Sequence, residues 1–433
     1  MKAWTHEVYS GKKTLGDVDI EGKRVFLRVD YNVPIQDGLV SDKAKIQKSL
    51  GTIEYLLRKN VQSIVIASHL GRPELDADPH NPTDTTMMPV LEALNACLDR
   101  AEMPIQFEFE YMANRKTQKK WVMVQNLRTL AVEKDPTDSE SKELFDAFIE
   151  KNCDLMVNDA FAVLHRDDYS VTQIKLEKIA GLLLDSEMQG VSLILGKARP
   201  TQEHSPITSL SRRDKEKFLR VGKDPKNFQT QEQKPIDLLI IGGCKLQDKI
   251  KMVKNLAKIT SNIFLGGLLS VPLLEHNPSP DVEDLIGSVI FEQVSLFYPV
   301  DYVLENLSVV SYKEAAGSAS KIKDIGPMTE DMLTSLISQS ASLFWNGTLG
   351  QAEIKEYAHG TDTALNAIMQ RKQQLQKADT KSMLCAGGGD TCGYINISGH
   401  ADAFDLILTG GGAALAALQG DVLPGVFALS ERN

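Results

Sequence analysis

The chain has 433 residues, 42% apolar and 24% charged, which is ordinary for a soluble globular protein and long enough for two domains. Lys and Arg number 48 against 58 Asp and Glu, a net charge of −10 that argues against general binding to nucleic acid or to anionic membranes. An anionic ligand would therefore need a local cluster of cations.

Short apolar runs alternate with amphipathic stretches from end to end. In the first half Val25–Val29, Ser63–Ala67, Trp121–Val124 and Leu155–Val157 predict strands, with helices over Ala44–Lys59 and Ser141–Lys151. A polar stretch from about Lys197 to Pro235 has no strand-like run and reads as a surface insertion near a domain boundary. Its charged run, Ser211–Lys217, reads as a solvated helix face. Strands resume at Leu238–Ile241, Ile263–Leu265, Tyr302–Leu304, Ser342–Trp345, Met383–Cys385 and Asp405–Leu408. Helices are expected over Gln247–Lys258, Thr329–Ala341 and Asp362–Gln376. Continuous apolar strands spaced by helices predict parallel sheets covered on both faces.

Five scattered cysteines without a C-x-x-C pair fit reduced thiols. The first residues lack the apolar core of a signal peptide, the last three are not a peroxisomal tripeptide, and no apolar run approaches a membrane span. A cytoplasmic protein is expected, with neither nucleic acid nor membrane as partner.

In open α/β sheets ligands sit beyond the carboxyl ends of the strands. In the first half those ends carry Asp30, Asn32, His69, Arg72, Asn126, Arg128, Asn158 and Asp159. In the second half they carry Gly243, Lys245, Gly267, Asn346, Asp390 and Thr391. One half thus offers cations and amides, the other glycines, lysines and a carboxylate. Two anionic ligands, one per domain, are expected. Leu384–Thr391 runs from apolar residues into three glycines, an Asp and a Thr: a cradle for phosphate with a magnesium ligand, or a glycine turn with an Asp helix cap. Apolar-to-glycine junctions at Gly242-Gly243, Gly266-Gly267 and Gly410–Gly412 favour the phosphate reading. The usual P-loop signature is absent.

Arg28–Pro34, Ser68–Pro73, Asn126–Arg128, Val157–Phe161 and His165-Arg166 together resemble phosphoglycerate kinase. The resemblance continues through Gly242–Ile250, Asp324–Pro327, Trp345–Gly347, Gly387–Thr391 and Thr409–Ala413, in the family's order. It implies an α/β protein of two doubly wound parallel-sheet, Rossmann-like domains joined by a hinge. Residues 1–185 would bind phosphoglycerate, with 409–433 packing back on them. Residues 186–200 would form the linker helix, and 200–408 the nucleotide domain.

The implied reaction moves a phosphoryl group between ATP and the carboxylate of 3-phosphoglycerate, giving ADP and 1,3-bisphosphoglycerate, in a monomer that closes about its hinge. The carboxylate is already ionised at neutral pH, so positioning and charge neutralisation suffice without a general base. By the resemblance, Arg28, Asp30, Asn32, Lys45, His69, Arg72, Arg128 and Arg166 would hold the triose. Gly243, Cys244, Lys245, Lys249, Gly267, Asn346, Glu353, Gly388, Gly389, Asp390 and Thr391 would hold the nucleotide, Glu353 at the ribose and Asp390 on Mg2+. Lys45, Lys249 and the helix starts at Gly389 and Gly412 would act on the migrating group. Read singly, each arginine could be a surface ion pair, His69 a packed loop residue and Lys249 an exposed helix lysine.

Departures from the family pattern cluster at the nucleotide. Cys244 replaces alanine, Thr348 replaces proline, Met328 replaces lysine or glutamate, and Ser318–Lys323 replaces a glycine-rich loop. Together with Lys45 they motivate a second reading, a catalytically silent relative acting as a metabolite or nucleotide sensor or as an interaction protein. A kinase for another carboxylate is a third. On the triose side, Lys45 stands thirteen residues after Asn32, where the family has an arginine. Lysine keeps the charge but loses the planar fork. Because a lost transition-state donor costs roughly a hundred- to a thousandfold, Lys45→Arg is expected to raise turnover by part of that factor in steady-state kinetics. An unchanged kcat would contradict this reading of the position.

Overall fold

The computed structural model describes residues 9–73, 86–195, 234–274, 279–315 and 319–432. All but the last two residues of the expected polar insertion lie outside that set. By their contacts the residues form two units, one reaching Gln189 and regaining the chain from Val422, the other spanning Gly190–Asp421.

The first unit is built on β1 (Arg24–Arg28), a small hairpin of β2 (Ile35–Gln36) and β3 (Leu39–Val40), β4 (Ser63–Ala67), β5 (Glu108–Glu110), β6 (Trp121–Val124), β7 (Leu155–Asn158) and β8 (Glu177–Ala180). Six of these pair in parallel in the order β5-β6-β4-β1-β7-β8. The central strands are buried on both faces, which is why they read as unbroken apolar runs. One face packs Ile46, Ile53 and Leu56 of helix Ala44–Arg58 with Val90, Leu94 and Leu98 of helix Met88–Arg100. The other packs Phe145, Phe148 and Ile149 of helix Ser139–Asn152.

The second unit repeats the plan with β9 (Ile236–Ile241), β10 (Thr260–Leu265), β11 (Ser295–Phe297), β12 (Asp301–Leu304), β13 (Val309–Ser311), β14 (Ile322–Ile325), β15 (Ser342–Asn346), β16 (Met383–Gly387) and β17 (Leu406–Leu408). The parallel sheet runs β11-β10-β9-β15-β16-β17. The strand at Asp301–Leu304, expected in a parallel sheet, instead joins a separate antiparallel sheet, β13-β12-β14. Short connections allow that pairing, whereas a parallel neighbour would need a long crossover.

The segment that returns to the first unit begins at Val422, later than the expected 409. Helix Gly412–Leu418 buries Ala413, Ala414, Ala417 and Leu418 within the second unit, and Asn255 Nδ2 on helix Gln247–Ala257 donates to the Leu418 carbonyl at 2.7 Å. The division between units falls inside helix Leu182–Leu195. Among the described residues no helix is long and apolar enough to cross a membrane.

That helix is started by Asp159, which follows β7 and is buried. Its Oδ1 accepts backbone N–H groups from Leu183 at 2.9 Å and Leu184 at 3.2 Å. Burial nevertheless pushes the carboxyl up to about 6, so the folded state holds the proton more tightly than the unfolded chain. The stability tied to that proton is present below pH 4 and is lost as pH rises towards 6. Asp159→Asn does not titrate, so it is expected to gain on the wild type by up to about 3 kcal/mol between pH 4 and 7 in urea titrations. A stability difference independent of pH would show that the carboxyl keeps its ordinary affinity.

Candidate active site

In each unit the expected residues lie beyond the carboxyl ends of the parallel strands. In the first, β1 lies between β4 and β7, so the loops after β1 and β4 and the segment after β7 share one end of the sheet. Lys45, in the first turn of helix Ala44–Arg58, donates to Asp30 Oδ2 at 2.7 Å and to the Asn32 carbonyl at 3.0 Å. Asn32 Oδ1 accepts the Gly71 N–H at 2.9 Å, tying the β1 loop to the β4 loop. Asn126 caps the turn that carries Arg128: its Oδ1 accepts the Arg128 N–H at 3.1 Å. Arg128 itself donates to the Gly71 carbonyl. Arg72 is exposed, while Arg128 and Arg166 are half-buried.

This cationic cluster is crowded. Burial and then Arg166 lower the pKa of Arg128, with Arg28 and Arg72 acting in the same sense. Arg128 Nε and Arg166 Nη1 are buried without an acceptor among the described residues. Orphaned charged donors of this kind are costly, and an anion in the cluster would satisfy them.

Arg28, expected to hold the triose with the other basic residues, is fully buried. His69 is also buried; desolvation first, then Arg28, Arg128, Arg166 and Lys45, hold its pKa far below the ordinary value, so the ring is neutral. Sequence reasoning missed three partners here. Asp168 is buried and pairs with Lys134 at 2.6 Å, and Glu133 and Ser170 sit against Arg28. Single acidic and hydroxyl residues in short turns carry no sequence pattern.

In the second unit the loops after β9 and β15 meet backbone to backbone. A Cβ on Gly347, whose φ is +97°, would stand 2.1 Å from the Gly242 carbonyl oxygen, and one on Gly242 would stand 2.2 Å from the Thr348 oxygen. Only glycine permits this approach. Lys249, on helix Gln247–Ala257, donates to Asn346 Oδ1, and Asn346 Nδ2 donates to the Gly387 carbonyl at 2.8 Å. Burial lowers the Lys249 pKa, opposed by Asp390 and Asp248. Thr391 is buried and accepts the Gly347 N–H at 2.6 Å. Gly389 and Asp390 are exposed at the start of helix Gly389–Ser398, after Gly388 at φ +99°.

Beside these loops an open cleft of about 380 Å³ is lined by Gly243, Cys244, Gly267, Asp324, Thr348 and Gln351, among others. Asp324 accepts N–H groups from Ile325 at 2.8 Å and Gly360 at 2.9 Å, and burial pushes its carboxyl up to about 7. Lys245 and Glu353 are exposed and lie outside the lining of this cleft. Gly412 begins a separate helix after β17. Asp390 offers one exposed carboxylate, and among the described residues no three His, Cys, Asp or Glu side chains converge on a metal position. Such a donor set fits Mg2+, which takes most of its ligands from phosphates and water.

Two parallel α/β sheets with chemically loaded loops at their carboxyl ends define the class, a two-domain α/β fold. A sequence model described as phosphoglycerate kinase matches residues 15–203 and 224–421. The phosphoglycerate kinase of Finegoldia magna is 29% identical over 448 residues, covering 97% of this chain and all of that protein. That of Wolinella succinogenes is 28% identical, covering 97% of each. Among solved structures, the phosphoglycerate kinases of Coxiella burnetii (TM-score 0.69, 23% identity) and Pyrococcus horikoshii (0.67, 22%) each match 96% of this chain and 98% of their own. The chain belongs to the phosphoglycerate kinase family.

Of the five cysteines, all within the described residues, Cys244 alone is exposed. A thiol-alkylating reagent is therefore expected to label the native protein at Cys244, and ATP or ADP with Mg2+ to slow that labelling as it fills the cleft. Labelling at an unchanged rate under saturating nucleotide, read by mass spectrometry, would remove the cleft from the nucleotide site.

Proposed function

We propose that the protein is an active phosphoglycerate kinase, transferring a phosphoryl group reversibly between ATP and the carboxylate of 3-phosphoglycerate. The observation that carries this reading is the pair of orphaned guanidinium donors, Arg128 Nε and Arg166 Nη1, in a cluster with Arg72, His69 and Lys45. Forked guanidinium donors suit both the phosphate and the carboxylate of the triose. Asp30 and Asn32 hold Lys45 in reach of the same ligand.

On the nucleotide side, the glycine loops after β9, β15 and β16 offer backbone N–H groups to phosphates, and Asp390 would ligate Mg2+. That ion, when bound, neutralises phosphate charge. The substrate carboxylate attacks the γ-phosphorus, the bond to the β,γ-bridging oxygen breaks, and ADP leaves with its electrons. No proton moves, so no base is needed. Lys249, fixed by Asn346, meets the charge of the migrating group, and the helix start at Gly389 adds backbone donors. Transfer requires the two ligands in contact, so the reading includes closure of the units around them. The unpaired cysteines support a reducing, cytoplasmic setting, and the monomeric state is part of the same reading.

A coupled assay of ATP-dependent 1,3-bisphosphoglycerate formation tests this. Lys249→Ala is expected to lose roughly a hundred- to a thousandfold in kcat, the usual effect of deleting a transition-state donor. Background rates for both proteins would overturn the reading, leaving a silent sensor or interaction protein, or a kinase for another carboxylate that a panel of acids would reveal.

A further inference from the structure

Arg28 ends β1, where its neighbours in sequence carry the ligand-facing residues, yet it is spent entirely inside the unit. Its Nε donates to Ser170 Oγ at 2.9 Å and Nη1 to the Val29 carbonyl. Nη2 faces His69 Nδ1 at 3.5 Å and Glu133 Oε1 at 3.8 Å. Glu133 is fully buried as well and accepts from Ser170 twice, from its N–H at 2.9 Å and its hydroxyl at 2.7 Å.

Burial pushes the Glu133 carboxyl up and the Arg28 guanidinium down, while their mutual attraction acts against both shifts. The guanidinium does not lose its proton in proteins, and both Glu133 oxygens accept, Oε2 from the Ser170 N–H and Oε1 from its hydroxyl, as a carboxylate does, so we take the pair as ionic. A guanidinium has no lone pair. The His69 nitrogen that faces it must therefore accept, and since the ring is neutral its single hydrogen is on Nε2.

We propose that Glu133 and Ser170 act through Arg28 as positioning residues that hold His69 in the Nε2–H tautomer, a neutral hydrogen-bond donor to the anion of the cationic cluster. The opposite tautomer would present a lone pair on Nε2 and repel that anion. A neutral donor also adds a hydrogen bond without adding to the repulsion among Arg72, Arg128 and Arg166. The identity of the anion rests on the phosphoglycerate reading above; the tautomer does not.

The experiment is long-range ¹H–¹⁵N correlation spectroscopy of His69, assigned with His69→Gln, beside steady-state kinetics. The wild type is expected to show the Nε2–H pattern. Glu133→Gln and Arg28→Met, checked for folding by circular dichroism, are expected to show a tautomer mixture. Both are also expected to raise KM for 3-phosphoglycerate about tenfold, the loss of one hydrogen bond to a charged group, with KM for ATP little changed. Ser170→Ala supplies the same readout should a charged-pair variant fail to fold. An Nδ1–H wild type, or folded variants that keep the Nε2–H pattern, overturns the proposal. Loss of the tautomer in the variants together with no binding of 3-phosphoglycerate to the wild type would uphold the positioning and refute the ligand.

Discussion

Parallel pairing on both sides of a central strand is the constraint from which the rest of each unit follows. β1 is held between β4 and β7, and β9 between β10 and β15, so loops distant in sequence emerge side by side at the carboxyl ends. At the second sheet this forces main chain against main chain. Gly242 and Gly347 are needed because any Cβ at either would occupy the other loop's carbonyl oxygen. Asn346 then lies between two strands' ends and can bond to Lys249 on one side and to the Gly387 carbonyl on the other.

The first unit meets a different demand, the gathering of several cations in a partly desolvated place. Its answer is a set of internal counter-charges. Asp30 takes Lys45, Asp168 takes Lys134, and Glu133 takes Arg28 below the surface. Breaking a buried pair of the last kind typically costs about 3–5 kcal/mol, so Arg28 and Glu133 stand or fall together. Arg128 Nε and Arg166 Nη1 find no acceptor among the described residues, an arrangement that suits a charge of the opposite sign. The division of labour between the units is thus electrostatic in one and conformational in the other.

Membership in the phosphoglycerate kinase family accounts for the common plan, while the departures are local. Cys244 and Thr348 both line the cleft beside the glycine loops, and Met328 is largely exposed at the start of helix Pro327–Gln339. The backbone contact of Gly242 with residues 347 and 348 runs through carbonyl oxygens. Side chains there can change without altering the approach of the two loops.

Length, alternation of apolar runs with helices, and the glycine and arginine motifs determined the fold class and the sheets' central strands, and they put most of the candidate site residues near the carboxyl ends of strands. Those signals are local: a strand buried on both faces must be apolar throughout, and a tight loop needs glycine. The edge strands Glu108–Glu110 and Glu177–Ala180 escaped notice because they are short, half-exposed and charged, so pairing with a neighbour, not composition, makes them strands. Only the tertiary structure decided that Asp301–Leu304 joins an antiparallel sheet, that helix Gly412–Leu418 stays with the second unit, and that Arg28 is buried on Glu133 and Ser170. For the helix and for Arg28 the partner lies far along the chain, and for Asp301–Leu304 a nearby hairpin competes with the large sheet; in each case the outcome is made by which surfaces exclude water together, which no local pattern states.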